Sequence, residues 1–369
     1  MANRIDALLQ WLENKGGRGL VATLVATLLL VLAHIYVTPG KGLTNEGSQY
    51  AQLSLHPLDI ATPQPQQTRI LTPLLAHYAY FLPLFPSQDF VLLTDLVGIV
   101  FLGVLYAGTR SQGLSPIMAI MGAAIMAFSA PILLPIYFPG SIEVTSYLFV
   151  FLAMCTVRNN LVWPWMLASA LLNHENNLFA LPWFLLFYHL RNDRKALRTL
   201  GAIPLVILSA LPWYWVTQAV SSHGGVTSSF AFLLNAPPPK EMFRLVALNF
   251  YHGSFQAFKL FWALPAYAIV IHLKERNFTE ILLYVLIVLC CVAQVCVSSE
   301  VTRLLASAFP VIWLGFVTLA RSVETALFHK VMAHLFVINL LVPQFYLGKD
   351  KPIRLYSVPG AWGLRKFFG

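Results

Sequence analysis

Apolar runs of about 17–23 residues recur from residue 19 to residue 347, and a run of that length is what a helix needs to cross a ~30 Å hydrocarbon layer. Lipid offers no hydrogen bonds. A chain that enters it must therefore satisfy its backbone internally, as helices or as a closed barrel. Barrel strands alternate in polarity. Runs such as LVATLVATLLLVL at 20–32 do not. The sequence therefore predicts an all-α polytopic membrane protein with about ten or eleven transmembrane helices. The expected spans lie near 19–38, 90–109, 115–137, 142–157, 161–173, 178–190, 199–219, 256–273, 279–297, 304–320 and 330–347. The two at 161–190 are the least regular, being short and interrupted by Pro164 and Pro182.

Composition agrees. Of 369 residues, 58% are hydrophobic and 11% charged, against about 25% charged in a soluble domain. The net charge of +9 reads as the lysines and arginines that fix orientation in a membrane. No basic stripe interleaved with aromatics points to nucleic acid. Cys155, Cys290, Cys291 and Cys296 fall inside expected spans, where buried hydrophobic thiols are expected in place of disulfides or metal ligands. The first apolar run lacks a small-residue cleavage site and reads as a retained signal anchor. There is no internal repeat, and residues 1–369 read as a single transmembrane domain.

Basic residues orient the chain. Arg4, Lys15 and Arg18 precede the first run, and Arg191, Arg194, Lys195 and Arg198 form the densest basic connection. Placing these with Arg110, Arg158, Lys274, Arg276, Arg321 and Lys330 in the cytoplasm puts the N-terminus there too. Residues 39–89 then form a long external loop, with 70–85 a helix lying at the membrane face. A second external loop spans 220–250. On this count the basic tail, 348–369, falls outside as well, in tension with its own charge.

Polar groups gather on the external side. The first loop carries Glu46, Tyr50, His56, Asp59 and Arg69; PGSIE carries Glu143; LLNHENNLF carries His174, Glu175, Asn176 and Asn177; SSEVTR carries Glu300 and Arg303; the second loop adds His223, Glu241 and Arg244. Ionisable groups at membrane depth are functional candidates by default. Each also has a plain reading. Glu300 and Arg303, three apart, suit a local pair. Glu46 and Tyr50 suit one polar face of a short helix. Asp95 suits a helix cap or a buried hydrogen-bonding partner. Taken together, a carboxylate base and a phosphate-binding cation at a membrane surface suit glycosyl transfer from a lipid phosphate. No HExxH, CxxC or Asp-x-Asp supplies a metal site, so no cofactor is required, although a divalent metal stays open.

Three short stretches resemble a known family. RILTPLLA at 69–76 is similar to a segment of the first lumenal loop of GT-C glycosyltransferases, including the mannosyltransferases of GPI-anchor synthesis and bacterial relatives. NEGSQYA at 45–51 looks like the acidic element that precedes it, with Glu46 where that family usually carries Asp. HENN before LFALPWFLL, and VTRLLASAFPVIW at 301–313, resemble a later Glu-bearing turn and an Arg-led helix. The resemblance implies a GT-C-like fold whose first external loop carries membrane-lying helices. It also implies inverting transfer of a sugar from a polyprenyl-phosphate donor to a lipid-linked, glycan or protein acceptor. Glu46, with Asp59 as second candidate, would be the base. Arg69 and Arg303 would meet the donor phosphate, while His174 and Glu175 would bind sugar hydroxyls or the phosphate region; Tyr50, His56 and Glu300 complete the expected site. The expected partners are membrane lipid, the polyprenyl-linked sugar and other glycan-assembly proteins, in a bacterial inner membrane with a periplasmic active face. A transporter or flippase, and a non-catalytic subunit of a glycan-assembly complex, are the competing readings.

Overall fold

The structure, a computed structural model, describes residues 2–37, 43–57, 66–79, 86–222, 250–297, 300–347 and 352–355. Its helices are α1 (Ala2–Gly16), α2 (Arg18–Tyr36), α3 (Asn45–Leu55), α4 (Leu71–Ala79), α5 (Pro86–Ser111), α6 (Pro116–Ala127), α7 (Ala130–Tyr137), α8 (Glu143–Cys155), α9 (Trp163–Asn173), α10 (Ala180–Arg191) and α11 (Ala196–Ser222). They continue with α12 (Phe250–Lys274), α13 (Phe278–Val297), α14 (Val301–Ser322) and α15 (Thr325–Leu341). A small antiparallel hairpin follows, β1 (Phe345–Leu347) and β2 (Pro352–Arg354).

The chain is an all-α polytopic membrane protein. Among the described residues, six helices are long and apolar enough to cross a membrane: α2, residues 88–111 of α5, residues 196–220 of α11, α12, residues 278–295 of α13, and α14. The pair α6–α7, bent by 47° at a short break, makes a seventh if counted as one span. Each of the eleven expected runs is helical over most of its length, yet four of the helices fall short of a crossing. α8, α9, α10 and α15 have 13, 11, 12 and 17 residues. A 12-residue helix rises only about 18 Å, well under the ~30 Å layer.

Successive passes alternate in direction, and side-chain ties mark the two ends. At the basic end Arg110 pairs with Glu13, Arg158 Nε donates to the Arg191 carbonyl, Arg194 to Asn277, and Arg321 to Gln112. At the other end Arg69 meets Glu175, Thr72 meets Asn173, and Arg303 meets Glu143. On α2, Leu24, Leu28, Val31 and Ile35 form an exposed stripe, while Ala22, Ala26, Leu29 and Ala33 are buried. That spacing is one helix face for lipid and one for the bundle. α11 is the most peripheral of the long helices, with 11% of its apolar window buried.

Several local expectations change. α1 is a helix packed along the bundle; its Glu13 is buried and accepts from Tyr106 and Arg110. Of the two roles expected of Asp95, hydrogen bonding holds and capping does not: it lies inside α5, 3.4 Å from His34. Cys290 and Cys291 are buried, whereas Cys155 is exposed; the Cys296 side chain lies outside the described residues. In the first loop α3 and α4 are short helices, and α4 covers only 71–79 of the expected 70–85. Residues 80–85 lie outside the described residues, as does most of the 220–250 loop. The hairpin departs from the all-helical expectation and holds the start of the tail at the non-basic end. Leu347 N donates to Thr302 Oγ1, and residues 356–369 lie outside the described residues.

Close packing between α12 and α14 rests on Gly315. A Cβ there would stand 2.6 Å from the backbone of Leu264 and Pro265. Gly315→Ala should therefore destabilise the protein by about 1–3 kcal/mol, read as a lower melting temperature in detergent. Gly201, in α11 with nothing within 4 Å of such an atom, should gain up to about 1 kcal/mol from the same change. Equal melting temperatures for the two variants would contradict the packing.

Candidate functional site

The site is built where α3 lies across the ends of the bundle. Thr44 caps α3, its Oγ1 accepting from Gly47 N at 2.9 Å, and this starts the helix one residue before Glu46. The backbone of α3 is pressed against the turn at 139–140. A Cβ on Gly47 would meet the Pro139 carbonyl at 2.6 Å, and one on Gly140 (φ +87°) would meet Gly47 Cα at 2.7 Å. Only glycines allow this approach. It brings the N-terminus of α3 beside that of α8, and so Glu46 beside Glu143.

Arg303, in the first turn of α14, is the hub. Its Nε donates to Glu143 Oε1 at 2.6 Å, and its Nη2 contacts the same oxygen. Its Nη1 donates to Glu46 Oε2 at 3.0 Å and to Glu300 Oε2 at 2.7 Å. Three carboxylates thus share one guanidinium. Tyr346 of β1 stands against Glu300. Glu46 is the outermost of the three, with its side chain 40% exposed against 26% for Glu300 and 10% for Glu143. Glu46 Oε1 makes no hydrogen bond among the described residues. These groups line a cavity of about 230 Å³ whose other walls include Asn45, Ser141, Phe138 and Tyr147.

A second, drier cluster supports the first. Arg69 donates from Nε and Nη2 to the two oxygens of Glu175, at 2.9 and 2.6 Å, and from Nη1 to the Tyr50 hydroxyl at 2.9 Å. Burial alone would raise the Glu175 pKa, but the Arg69 charge outweighs it and holds the carboxyl at about 2. Burial also opposes the Arg69 charge, and Glu175 again prevails. Tyr50 is fully buried, which keeps its hydroxyl protonated. Burial, and then the Arg69 charge, push the His174 pKa down to about 4. His174 Nδ1 stands 3.6 Å from Glu175, yet it accepts from Asn176 N at 3.2 Å, so the proton of the neutral ring sits on Nε2 and the carboxylate contact is no ion pair at neutral pH. Asn173 ties the layers together, donating to the Ile142 carbonyl and Ser146 and accepting from Thr72. Between the clusters lies a cavity of about 30 Å³ lined by Glu143, His174, Asn177 and Arg303.

The structure therefore gathers Glu46, Tyr50, Arg69, His174, Glu175, Glu300 and Arg303 at one end. It does not gather His56, which is exposed at the far end of α3, about 15 Å along the helix from Glu46. Asp59, His223, Glu241 and Arg244 lie outside the described residues. Asn173 and Tyr346 enter the site although sequence reasoning did not choose them, and Glu143, which it counted among the external polar groups without a role, enters as the nearest partner of Arg303. The signal for Glu143 was its place three residues past a Pro-Gly turn, at a helix start. Among the described residues no group of three or more His, Cys, Asp or Glu is arranged to hold a metal ion. No family model and no curated protein sequence matches this chain.

His174 has a folded-state pKa near 4, below its ordinary 6.5. Its neutral form adds stability that is fully present above pH 6.5 and is lost as pH falls toward 4. Glu175 acts lower still, from its ordinary 4.5 down to about 2. The melting temperature in detergent should fall between pH 6.5 and 4, and His174→Gln should flatten that fall. An unchanged slope in the variant would contradict the buried neutral imidazole.

Proposed function

We propose that this chain is a membrane glycosyltransferase of the GT-C kind, moving a sugar from a polyprenyl-phosphate donor to an acceptor hydroxyl at the end of the bundle remote from the basic connections. The observation that carries this reading is the 230 Å³ cavity in which Glu46, Glu143 and Glu300 meet Phe138, Tyr147 and Tyr346. Carboxylates accept from sugar hydroxyls, and aromatic faces cover the apolar faces of a pyranose. The motif resemblance at 45–51, 69–76 and 301–313 points the same way.

Glu46 is the base in this scheme. Its free Oε1 takes the proton from the acceptor hydroxyl. The acceptor oxygen bonds to the anomeric carbon from the face opposite the donor phosphate. The carbon–oxygen bond to that phosphate breaks, and its electron pair leaves with the lipid phosphate. Three carboxylates around one guanidinium repel an anion placed among them, so the sugar occupies the cavity and the phosphate stays at its mouth. Arg303 and Arg69 then act as positioning residues, holding Glu46 and the Tyr50–Glu175 layer. This differs from the phosphate-binding role that the resemblance implies for them.

Glu46→Gln should reduce sugar transfer in proteoliposomes by at least about 100-fold while the protein remains monodisperse. Glu300→Gln, which keeps the base, should lose less. Transfer at the original rate in Glu46→Gln would remove Glu46 as the base. If Glu143→Gln and Glu300→Gln also retained it, the non-catalytic subunit reading would stand.

For the membrane itself, we place the basic end in the cytoplasm and the site in the periplasm of a bacterial inner membrane. In a background without native cysteines, an impermeant thiol reagent added to intact cells should modify cysteine placed at Ser48 and spare one placed at Lys195. The reverse pattern overturns the orientation.

A further inference from the structure

A larger cavity, of about 720 Å³, opens at the opposite end of the bundle, within the ~300–1,000 Å³ range of ligand sites. Its rim and walls come from the ends of α5, α8, α10, α12, α13 and α14. The rim carries Arg158, Arg191 and Arg321 against Glu275 and Glu280, which leaves a net positive charge. Arg158 and Arg191 are adjacent, Arg158 Nε donating to the Arg191 carbonyl at 3.3 Å. Arg191 is only loosely held by Glu280, at 3.5 Å. Arg158 and Arg321 are exposed and form no ion pair among the described residues. These guanidiniums keep donors free for an anion, in contrast to Arg69 and Arg303.

Behind the rim one stretch of the wall is apolar. Leu314 lies two helical turns inward from Arg321, about 10 Å, and Met154, Phe187 and Val317 line the same space. Cys155, the last residue of α8, is exposed to it. Leu314 and Val317 lie within α14, one of the helices long enough to cross the membrane, so this apolar part of the cavity lies at the depth of lipid chains. A cationic rim over an apolar recess between transmembrane helices matches an amphiphile with an anionic head. Basic pockets of this kind take anionic lipid head groups.

We propose that this cavity binds an anionic phospholipid, with its phosphate at Arg158, Arg191 and Arg321 and the start of an acyl chain between Met154, Phe187 and Leu314. The site is separate from the carboxylate cluster and does not depend on the glycosyltransferase reading.

The test is native mass spectrometry of the purified full chain, exchanged into detergent containing equal phosphatidylglycerol and phosphatidylcholine. Wild type should retain phosphatidylglycerol in preference. The variant carrying R158Q and R321Q should retain roughly tenfold less, with each single substitution giving part of the loss. C155F, which fills the recess without touching charge, should also lose it. R194Q, on an exposed arginine that does not line the cavity, should behave as wild type. Full retention in the R158Q and R321Q variant overturns the proposal. Equal loss in R194Q overturns it too, by showing diffuse surface attraction. If millimolar inorganic phosphate displaces the lipid and C155F leaves retention intact, the rim is a free-phosphate site and the lipid assignment falls.

Discussion

Arg303 confronts three carboxylates at once, and the architecture of the site follows from how that charge is tolerated. A guanidinium has five donors in a rigid planar fork. Here it spends them on Glu46, Glu143 and Glu300, which come from three different elements. Removing it would leave like charges facing one another with little water to screen them. Holding them together fixes α3, α8 and α14 relative to each other at one end of the bundle. The excess of acceptors over donors distinguishes the cavity chemically. It suits neutral polyols better than bare anions, and among the described residues it leaves Oε1 of Glu46, the most exposed of the three carboxylates, without a hydrogen bond.

The membrane explains why such a cluster sits where it does. Long helices such as α2 and α14 satisfy the lipid's demand for closed backbone hydrogen bonding. The short helices α9 and α10 fall well below a full crossing, and the turn between them carries His174, Glu175 and Asn177. That turn is shielded by protein: Arg69 answers Glu175, and Asn173 binds three elements together. These polar side chains are held inside the bundle by one another.

Much of this was legible in the sequence because the strongest signals were one-dimensional. Apolar length marked the helices, six of them long enough to cross a membrane among the described residues, and basic residues sorted their ends. The convergence of Glu46, Glu175 and Arg303 on one face followed from counting passes. What stayed hidden depended on three-dimensional approach. Nothing in the string says that Gly47 and Gly140 touch, and that contact delivers Glu143 to Arg303. The exchange of ion-pair partners was equally invisible. Local spacing paired Glu300 with Arg303, which holds, but the shorter contacts to Arg303 come from Glu143, far away in the chain. Arg69 looked free for a phosphate because its partner, Glu175, lies 106 residues on. Element ends shifted for local reasons as well: α5 starts at Pro86, and α1 is a packed helix because Glu13 found Arg110.

For sugar transfer at this site, a lipid-linked sugar must reach the Arg303 cluster. The most direct measurement is photo-crosslinking in proteoliposomes with a polyprenyl-phosphate sugar whose pyranose carries a diazirine, followed by peptide mapping. The structure leads us to expect adducts within 44–50, 138–147 and 300–303. Adducts confined to the basic end, around 155–158 and 314–321, would contradict it.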